Sequence, residues 1–255
     1  MIELNYKKVK FTMFPNEESM LHLKDLTIQK HNHINLFFVD NNDLIHLMFL
    51  KHHINSMNAT AELFINYMPY SRMDRSNSDY SFSLSAVADF INGLNFSKVT
   101  VREPHSKVTC ELIRNCYEYK WTETRLEYLI KKYEFDSIFF PDFGARERYF
   151  SNSISVPIAH GKKVRDFTTG TITALDVVGY VGKNVLIVDD ICSKGGTFVR
   201  SSICLKEQGA KEVSLIVSYC EDTVLTGDLL NHIDYLFSSE DCLVGYHHPQ
   251  IIKIK

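Results

Sequence analysis

Residues 184–198 read NVLIVDDICSKGGTF, and this stretch decides the fold. Its apolar run VLIV is typical of a strand buried on both faces of a parallel sheet. Two adjacent carboxylates, Asp189 and Asp190, follow the run, and a glycine pair leads into a helix predicted to begin near Gly196 or Thr197. A strand–turn–helix unit of this kind places polar groups at the carboxyl edge of a sheet, where ligands of open α/β folds bind.

Short apolar runs recur along the chain. They are INLFFV (34–39), ELFINY (62–67), KVTV (98–101), SIFF (137–140), NVLIV (184–188), VSLIV (213–217) and IDYLF (233–237). Segments with the helical spacing of apolar residues lie between several of them. Strands that alternate with helices predict an α/β fold, with mostly parallel sheets flanked by helices.

The chain is long enough for two domains. A charged helical segment, WTETRLEYLIKKYEF (121–135), separates two groups of predicted strands. The prediction is an N-terminal α/β domain over residues 1–133 and a C-terminal domain over residues 134–239. The tail, from about residue 240 to 255, is expected to return to the N-terminal domain.

The composition indicates an ordinary soluble globular protein. Of the 255 residues, 45% are hydrophobic and 23% are charged. The formal net charge is -3, so nonspecific electrostatic binding of nucleic acid is not expected. The N-terminus lacks the apolar core of about 7 to 15 residues that a signal peptide needs, and no apolar run approaches about 18 residues, so no membrane span is expected. The six cysteines form no C-x-x-C pair and are predicted to be reduced thiols in the cytoplasm.

The paired carboxylates and the glycines point to a ribose phosphate as ligand. Oxygens of Asp189 and Asp190 can accept hydrogen bonds from two sugar hydroxyls or hold a hydrated magnesium ion. Gly195 and Gly196 let backbone N–H groups approach a phosphate at the positive end of the following helix. The alternative is a tight turn in which the aspartates only cap the helix.

The stretch resembles the phosphoribosyl-diphosphate binding loop shared by phosphoribosyltransferases and ribose-phosphate diphosphokinases. Other segments resemble diphosphokinase motifs in the same order along the chain: FPNEES (14–19), YMPYSRMDR (67–75), VREPHS (101–106), FPDFGARERY (140–149) and GKKVRD (161–166). The resemblance implies two phosphoribosyltransferase-like domains. It also implies an enzyme that uses Mg²⁺ and transfers the β,γ-diphosphoryl group of ATP to the anomeric hydroxyl of a 5-phosphorylated ribose, releasing AMP.

The resemblance suggests which residues meet ATP and magnesium. Arg72 and Arg75 would clamp polyphosphate oxygens through their guanidinium forks, and Asp74 would fix an arginine or contact the nucleotide. His105 and Asp142 would be ligands of a magnesium–ATP complex. On chemistry alone, a surface salt-bridge cluster and a structural histidine are the alternatives.

The FPNEES segment resembles the F-x-D-G-E loop of the family. The resemblance implies that Phe14, Asn16 and Glu18 reach the adenine from a neighbouring subunit, which predicts a homo-oligomer, a dimer or larger. Asn16 stands where the family has aspartate, and Glu17 stands where it has glycine.

The segment AHGKKVRDFTTGTI (159–172) is polar and basic and offers no apolar face, so it is predicted to be a mobile loop. Lys162, Lys163 and Arg165 fall where the family has its K-x-R catalytic loop. Their positive charge would stabilise the transferring phosphates as the loop closes. A solvated basic loop without a catalytic role is the alternative.

The acceptor loop departs from the family pattern D-T-G-G-T. Ser193 replaces the acid and Lys194 adds a cation before Gly195, Gly196 and Thr197, which favours an acceptor with more negative charge. The motifs P-H-S, K-V-R-D-x-x-T-G-x-I and V-L-I-V-D-D-I-C resemble a short subset, common in bacteriophages, that accompanies nicotinamide-salvage transferases. The subset implies ADP-ribose as acceptor for NAD resynthesis, so ADP-ribose and ribose 5-phosphate are both predicted acceptors, and a nicotinamide transferase is a predicted pathway partner.

Two other classes of function stay open at the level of sequence. A phosphoribosyltransferase that consumes phosphoribosyl diphosphate shares the acceptor loop but has no reason to carry the ATP-side segments. A non-catalytic subunit that associates with true synthetases tends to have damaged catalytic loops. Here Lys162, Arg165, His105 and Asp142 are retained, together with the loop aspartates.

Overall fold

The computed structural model describes the backbone of residues 1–165 and 172–255 and the side chains of residues 1–162 and 175–255. The two large sheets formed by these residues are mostly parallel and flanked by helices, which confirms the predicted α/β fold. Within this described part of the chain, no helix is long and apolar enough to cross a membrane.

The first compact unit, Met1–Tyr119, is built around a six-stranded sheet. Its elements are β1 (Ile2–Leu4), β2 (Lys7–Lys8), β3 (Phe11–Met13), β4 (Ser19–Leu21), β5 (His31–Leu36), α1 (Asn42–Ser56), β6 (Thr60–Ile65), α2 (Ser83–Gly93), β7 (Lys98–Arg102), α3 (Val108–Leu112) and β8 (Cys116–Tyr119). The strand order is β2-β1-β5-β6-β7-β8, in which β5 to β8 are parallel and the two N-terminal strands are antiparallel at the edge. Strands β3 and β4 form a separate antiparallel hairpin.

The core of the first unit is formed by the residues of each strand and helix that face the same side. In β6, Leu63 and Ile65 are buried, while Phe64 between them is partly exposed. In α1, Leu47, Leu50 and Ile54 are buried on one face. These residues belong to one apolar cluster, because alternate strand positions and every third or fourth helical position face the same side.

The second compact unit, Lys120–Lys255, contains a seven-stranded sheet. Its elements are α4 (Glu123–Lys132), β9 (Ser137–Phe140), α5 (Phe143–Tyr149), β10 (Ile158–Arg165), β11 (Ile172–Gly179), β12 (Asn184–Cys192), α6 (Gly196–Glu207), β13 (Glu212–Cys220), β14 (Leu236–Ser239) and β15 (Ile251–Ile254). The strand order is β11-β10-β9-β12-β13-β14-β15. The pairing of β10 with β11 is antiparallel, and the other pairs are parallel.

The central strands of this sheet confirm the reading of their apolar runs. All four residues of β9 are buried, and so are residues 185–188 of β12. A strand covered on both faces has no solvent side, so it carries no polar alternation.

The two compact units divide the chain before the predicted domain boundary at residue 133. The division falls between Tyr119 and Lys120, because α4 is anchored to the second unit. The carboxylate of Glu127 in α4 accepts hydrogen bonds from the backbone N–H and the hydroxyl of Ser155, both at 3.0 Å. The charged helix therefore belongs to the second unit and does not separate the two.

The C-terminal tail also differs from the prediction. It forms β15, which pairs with β14 at the edge of the second sheet, and does not return to the N-terminal unit. The side-chain amide of Gln250 donates to the carbonyl oxygens of Leu230 and Ile233 at 3.0 and 2.7 Å, which fixes the approach to β15.

The basic segment predicted as a mobile loop is in large part an antiparallel ribbon. β10 pairs with β9 on one side and with β11 on the other. Ala159 of β10 lies in the apolar core of the second unit, and Leu175 and Val177 of β11 pack against it, while the lysines at 162 and 163 interrupt any continuous apolar run that could have revealed the ribbon. Residues 166–171 of the predicted loop lie outside the described residues.

Candidate functional site

The candidate acceptor site lies on β12. Asp189 is partly exposed and Asp190 is buried, and the strand continues beyond them to Cys192 through its pairing with β13. Helix α6 then begins at Gly196, as the sequence predicted. The two carboxylates are therefore held by the ladder of a central strand and not by a flexible turn.

A buried arginine contacts both carboxylates. Nη1 of Arg148, in α5, lies 2.7 Å from Oδ1 of Asp190 and 3.5 Å from Oδ1 of Asp189. The side chains are only 14%, 7% and 18% exposed, respectively, so their charges interact more strongly than surface charges would. Sequence patterns did not single out Arg148, although it is the last arginine of the FPDFGARERY segment.

Burial and charge shift the pKa values of this cluster. Burial raises the pKa of Asp189 well above its ordinary value, and the charge and hydrogen bond of Asp190 raise it further, while Arg148 opposes the shift. Burial lowers the pKa of Arg148, but the charges of Asp190, Tyr149 and Asp189 outweigh burial and leave it raised. Arg148 is therefore a permanent cation beside a carboxylate pair that resists carrying two full negative charges.

The two glycines of the acceptor loop have different environments. Gly195 is left-handed, with φ +81°, and a Cβ at this position would lie 2.7 Å from side-chain carbons of Leu229. A Cβ at Gly196 would meet no atom within 4 Å. The loop needs Gly195 for its own conformation, whereas Gly196 keeps open space at the N-terminus of α6, where unpaired N–H groups point outward.

The remaining predicted loop residues surround this open space. Lys194 and Thr197 are exposed, and Ser193 is half-buried. The first turn of α6 is closed by the carbonyl oxygen of Gly195, which accepts the N–H of Phe198 at 2.9 Å. The loop is thus a fixed cradle with accessible polar groups.

A downstream segment supports the loop. It contains two short 3-10 helices, Asp222–Thr226 and Leu229–Asn231. Gly227, between them, approaches the carbonyl oxygen of Lys194 so closely that a Cβ would overlap it, and Leu229 packs against Gly195. Sequence patterns missed these supports because they are remote in sequence from the loop they touch.

Asp142 lies at the junction of β9 and α5. Its Oδ1 accepts the N–H of Ala145 at 2.9 Å and caps the helix. The adjacent Pro141 leaves no room for a side chain on β10, since a Cβ at Gly161 would lie 2.5 Å from the Pro141 carbonyl oxygen. The start of α5 and the ribbon strand are therefore packed backbone against backbone.

The three predicted catalytic cations lie in the ribbon strand β10. The side chain of Lys162 is exposed, and its backbone pairs with Asp176 in β11. Lys163 and Arg165 belong to the same strand, but their side chains lie outside the described residues.

The predicted adenine contacts form the turn of the β3–β4 hairpin. Phe14 N–H donates to the Glu18 carbonyl oxygen at 2.7 Å, and Glu18 N–H donates to Oδ1 of Asn16 at 3.3 Å. Phe14 is 46% exposed. Glu17 adopts φ +68°, a left-handed conformation that glycine takes without strain. The turn brings the three predicted residues together and leaves the ring of Phe14 in solvent.

The SRMDR segment follows β6 and is largely open to solvent. Arg72 is exposed, and the Arg75 side chain is 91% exposed. Nε of Arg75 lies 3.7 Å from Oδ1 of Asp74, and a surface ion pair of this length contributes little to stability. Both guanidinium groups are therefore accessible to a ligand.

The EPHS segment follows β7 and is tied to the end of β6. Arg102 is only 5% exposed, and its Nε donates to the Asn66 carbonyl oxygen at 3.0 Å. Glu103 has φ +41°, and its N–H donates to the Tyr119 carbonyl oxygen at 3.1 Å. His105, half-buried, comes next but one. Sequence patterns missed Arg102, because an arginine at a strand end usually marks solvent and not burial.

The donors available for magnesium are carboxylates at strand ends. Among the residues that the structure describes, no three His, Cys, Asp or Glu side chains form a group able to hold a metal ion. Mg²⁺ usually keeps several waters and binds through one or two carboxylates together with substrate phosphates. Asp142, Asp189 and Asp190 are donors of that type, whereas the nitrogen of His105 is a poorer ligand for this ion. The donor chemistry fits a magnesium ion carried mainly by a polyphosphate.

Several known proteins are similar to this chain in sequence. The family model of the phosphoribosyl transferase domain matches residues 150–243, which contain β12, the acceptor loop and α6. Three curated proteins named ribose-phosphate pyrophosphokinase are also similar. The protein from Saccharolobus solfataricus is 28% identical, over 67% of this chain and 61% of its own length. The protein from Pyrococcus abyssi is 32% identical, over 62% of this chain and 56% of its own length. The protein from Mycoplasmopsis pulmonis is 25% identical, over 86% of this chain and 71% of its own length. These similarities support the ribose-phosphate pyrophosphokinase family.

The chain spans less than two thirds of the first two of these pyrophosphokinases. A solved structure, the phosphoribosylpyrophosphate synthetase from Mycobacterium smegmatis, has a TM-score of 0.80 and covers 97% of this chain and 85% of its own, at 19% identity. At that identity the likeness concerns the fold alone, and it agrees with the α/β architecture described above.

Proposed function

We propose that this chain is a magnesium-dependent pyrophosphokinase. It transfers the β,γ-diphosphoryl group of ATP to the anomeric hydroxyl of a 5-phosphorylated ribose and releases AMP. The observation that carries the proposal is the acceptor loop, in which two carboxylates on a central strand are followed by a left-handed glycine and an open helix N-terminus. The pyrophosphokinase relatives support the ATP-dependent reaction over others that use the same loop.

The acceptor half of the site recognises a sugar by its diol and its phosphate. Asp189 and Asp190 accept hydrogen bonds from the two ring hydroxyls. The backbone N–H groups of Gly195 and Gly196 and the hydroxyls of Ser193 and Thr197 donate hydrogen bonds to the phosphate. Arg148 balances the charge of the carboxylates before and after the sugar binds. The cradle is therefore ready in shape and charge before the acceptor arrives.

The ATP half uses residues of the first unit. Arg72 and Arg75 hold the polyphosphate, and Asp74 orients Arg75. Phe14 stacks on the adenine, with Asn16 and Glu18 contacting its polar edge. In this proposal the hairpin serves the site of a neighbouring copy, so the enzyme is a homo-oligomer.

Magnesium and the cations of β10 complete the proposal. ATP phosphates would hold the ion, with Asp142 and His105 each proposed as a protein ligand, and the ion would neutralise charge on the triphosphate. Lys162, Lys163 and Arg165 bring positive charge to the diphosphoryl group as it moves between two oxygens. Catalysis is then a matter of alignment and charge compensation, with no covalent intermediate on the protein.

The acceptor is either ribose 5-phosphate or ADP-ribose. Exposed Lys194 beside the cradle favours the second, because a diphosphate bridge carries charge beyond the 5-phosphate that a simple monoester lacks. With ADP-ribose the product would be the substrate of a nicotinamide transferase that remakes NAD, as in the short phage-type subset. Either reaction belongs in the cytoplasm, where ATP is available.

The deciding experiment measures AMP. The chain is incubated with ATP, Mg²⁺ and either ribose 5-phosphate or ADP-ribose, and the products are separated by chromatography. We expect AMP with at least one acceptor, and its loss in the Arg72→Ala and Lys162→Ala variants while their thermal midpoints stay unchanged.

Other outcomes identify other functions. Release of diphosphate from phosphoribosyl diphosphate and a nucleobase without ATP would instead indicate a phosphoribosyltransferase. No AMP with either acceptor and no binding of Mg–ATP by calorimetry would indicate a non-catalytic subunit.

A further inference from the structure

Two thiols of the first unit lie unusually close together, apart from the residues assigned above. Cys110 is in α3 and Cys116 begins β8, and their Sγ atoms are 2.9 Å apart, with Cys116 donating its S–H to Cys110. Both side chains are partly exposed. A disulfide requires a separation of about 2.05 Å, so closure needs an approach of only about 0.9 Å.

The hydrogen bond makes the two thiols chemically different. It lowers the pKa of Cys110, against the opposing effects of burial and Glu118. The same bond, followed by burial, raises the pKa of Cys116. Because the thiolate is the nucleophile in sulfur exchange, Cys110 is the attacking sulfur and Cys116 is the resolving one.

The chain between the cysteines is already held in place. Asn92 of α2 accepts the N–H of Arg114 at 2.8 Å and donates its side-chain amide to the Leu112 carbonyl oxygen at 2.9 Å. The Asn115 carbonyl oxygen accepts the N–H of Val99 in the neighbouring strand at 3.0 Å. A bond between the two sulfurs would therefore close a loop whose ends are already fixed.

We propose that Cys110 and Cys116 form a thiol–disulfide exchange site for small-molecule disulfides of the glutathione type. The Cys110 thiolate, whose proton has gone to water, attacks one sulfur of the small disulfide. That S–S bond breaks, and the first small thiolate leaves and takes a proton from water. Cys116 then loses its proton to water and attacks the Cys110 sulfur, and the second small thiolate leaves. Two protein thiols are oxidised to one disulfide, and the small disulfide is reduced to two thiols.

The other cysteines provide an internal comparison. Cys204 is also partly exposed, but burial and the charge of Glu207 raise its pKa, so it is a poor nucleophile. Cys192 and Cys220 are neighbours in the register of β12 and β13, but both are buried, as is Cys242. Accessibility and proximity occur together at Cys110 and Cys116 among these six.

The experiment uses the full chain with oxidised glutathione. Remaining thiols are trapped with iodoacetamide, and peptides are analysed by mass spectrometry. We expect a peptide bridged between Cys110 and Cys116, reversed by dithiothreitol, with the other four cysteines alkylated. In the bridged form, amide hydrogen exchange over residues 108–119 should be slower than in the reduced form.

Two variants test the order of attack. Cys116→Ser should stop at a glutathione adduct on Cys110, and Cys110→Ser should give neither adduct nor bridge, with circular dichroism checking that each variant is folded. The proposal is overturned if Cys110 and Cys116 are alkylated as completely as Cys204 after oxidation. It is also overturned if wild-type Cys110 keeps the glutathione, or if the bridge joins Cys192 to Cys220. None of these outcomes depends on the pyrophosphokinase activity.

Discussion

At the scale of single residues, the acceptor carboxylates are close in sequence but unequal in environment. Asp190 has the short contact with Arg148, at 2.7 Å, whereas Asp189 lies 3.5 Å from the same guanidinium. The two acids therefore contribute to stability with opposite signs, since one compensates a buried cation and the other adds a charge that burial disfavours.

We expect Asp190→Asn to lower the free energy of unfolding by roughly 2 kcal/mol, because Arg148 loses the nearer of its two carboxylates. Asp189→Asn should raise the thermal midpoint at neutral pH, because it removes the carboxyl whose pKa is raised by burial. The two isosteric variants serve as controls for each other, and urea unfolding measures both. Equal destabilisation by the two substitutions would contradict the asymmetry.

The raised pKa of Asp189 should also affect how stability depends on pH. A carboxyl with a raised pKa in the folded state stabilises the fold while it is protonated, and that stabilisation is lost as pH rises from the unfolded pKa of about 3.9 through the folded value. Thermal midpoints of the wild type should fall over this interval. In Asp189→Asn that fall should be smaller, and an unchanged profile would show that Asp189 is not its source.

Glu17 is a second residue whose backbone conformation lowers the stability of the fold. Its left-handed backbone, at φ +68°, disfavours a side chain, so Glu17→Gly should raise the free energy of unfolding by about 0.5 to 1 kcal/mol. Glu18→Gly is the matched control, because Glu18 is not in the left-handed region and should lose stability. Urea titration followed by circular dichroism compares the two, and a loss in both would rule out strain at Glu17.

At the scale of elements, the loop before α6 contains one glycine that the fold needs and one that leaves open space for the proposed phosphate. Gly195→Ala should destabilise the protein by about 2 kcal/mol, because alanine at φ +81° is strained and its Cβ would overlap Leu229. Gly196→Ala should leave stability equal or about 0.5 kcal/mol higher, because alanine has open space and favours a helix. Thermal unfolding compares the stabilities of the two variants. Phosphate affinity should fall in Gly196→Ala even though its stability does not, because the added methyl group occupies the open space at the start of α6.

Arg102 joins the ends of β6 and β7, from which two segments of the proposed ATP site start. Arg102→Met keeps the length of the side chain but removes the donor to the Asn66 carbonyl oxygen, so we expect kcat/KM for ATP to fall about tenfold. Arg102→Lys should recover part of the loss, and the apparent affinity for the acceptor should not change. A parallel loss for ATP and acceptor would indicate a general loss of folded protein and not misplacement of the ATP segments.

The strands that the sequence could predict were those with continuous apolar runs. SIFF and VLIV were found because burial on both faces leaves a purely apolar signature. The ribbon strand β10 is interrupted by a histidine, a glycine and two lysines, and β11 by Asp176. The strands β1, β2 and β8 have two to four residues each, which is too short for a pattern. Motif spacing located the acceptor loop, but it could not show Arg148, Arg102 or Gly227, because their roles come from contacts between distant segments.

At the scale of the whole molecule, the proposed contacts of Arg72, Arg75 and His105 with ATP lie in the first compact unit, and the proposed acceptor loop lies in the second. Mg–ATP alone should slow amide hydrogen exchange at residues 66–75 and 101–106, and ribose 5-phosphate or ADP-ribose alone should slow it at residues 189–199. Exchange followed by mass spectrometry measures both sets in one experiment. Protection of residues 189–199 by Mg–ATP without any acceptor would place the nucleotide, and not the sugar, in that loop.

The contact between Gly227 and the Lys194 carbonyl has a consequence for protein engineering. The loop proposed to meet the acceptor packs against a segment later in the chain, so its shape depends on both segments. We expect a loop grafted from a relative with another acceptor to adopt the wrong conformation in this chain. It would lack the relative's own counterpart of residues 222–232, which supports the loop. If the proposed function holds, transplanting both segments together is the smallest change expected to transfer acceptor specificity.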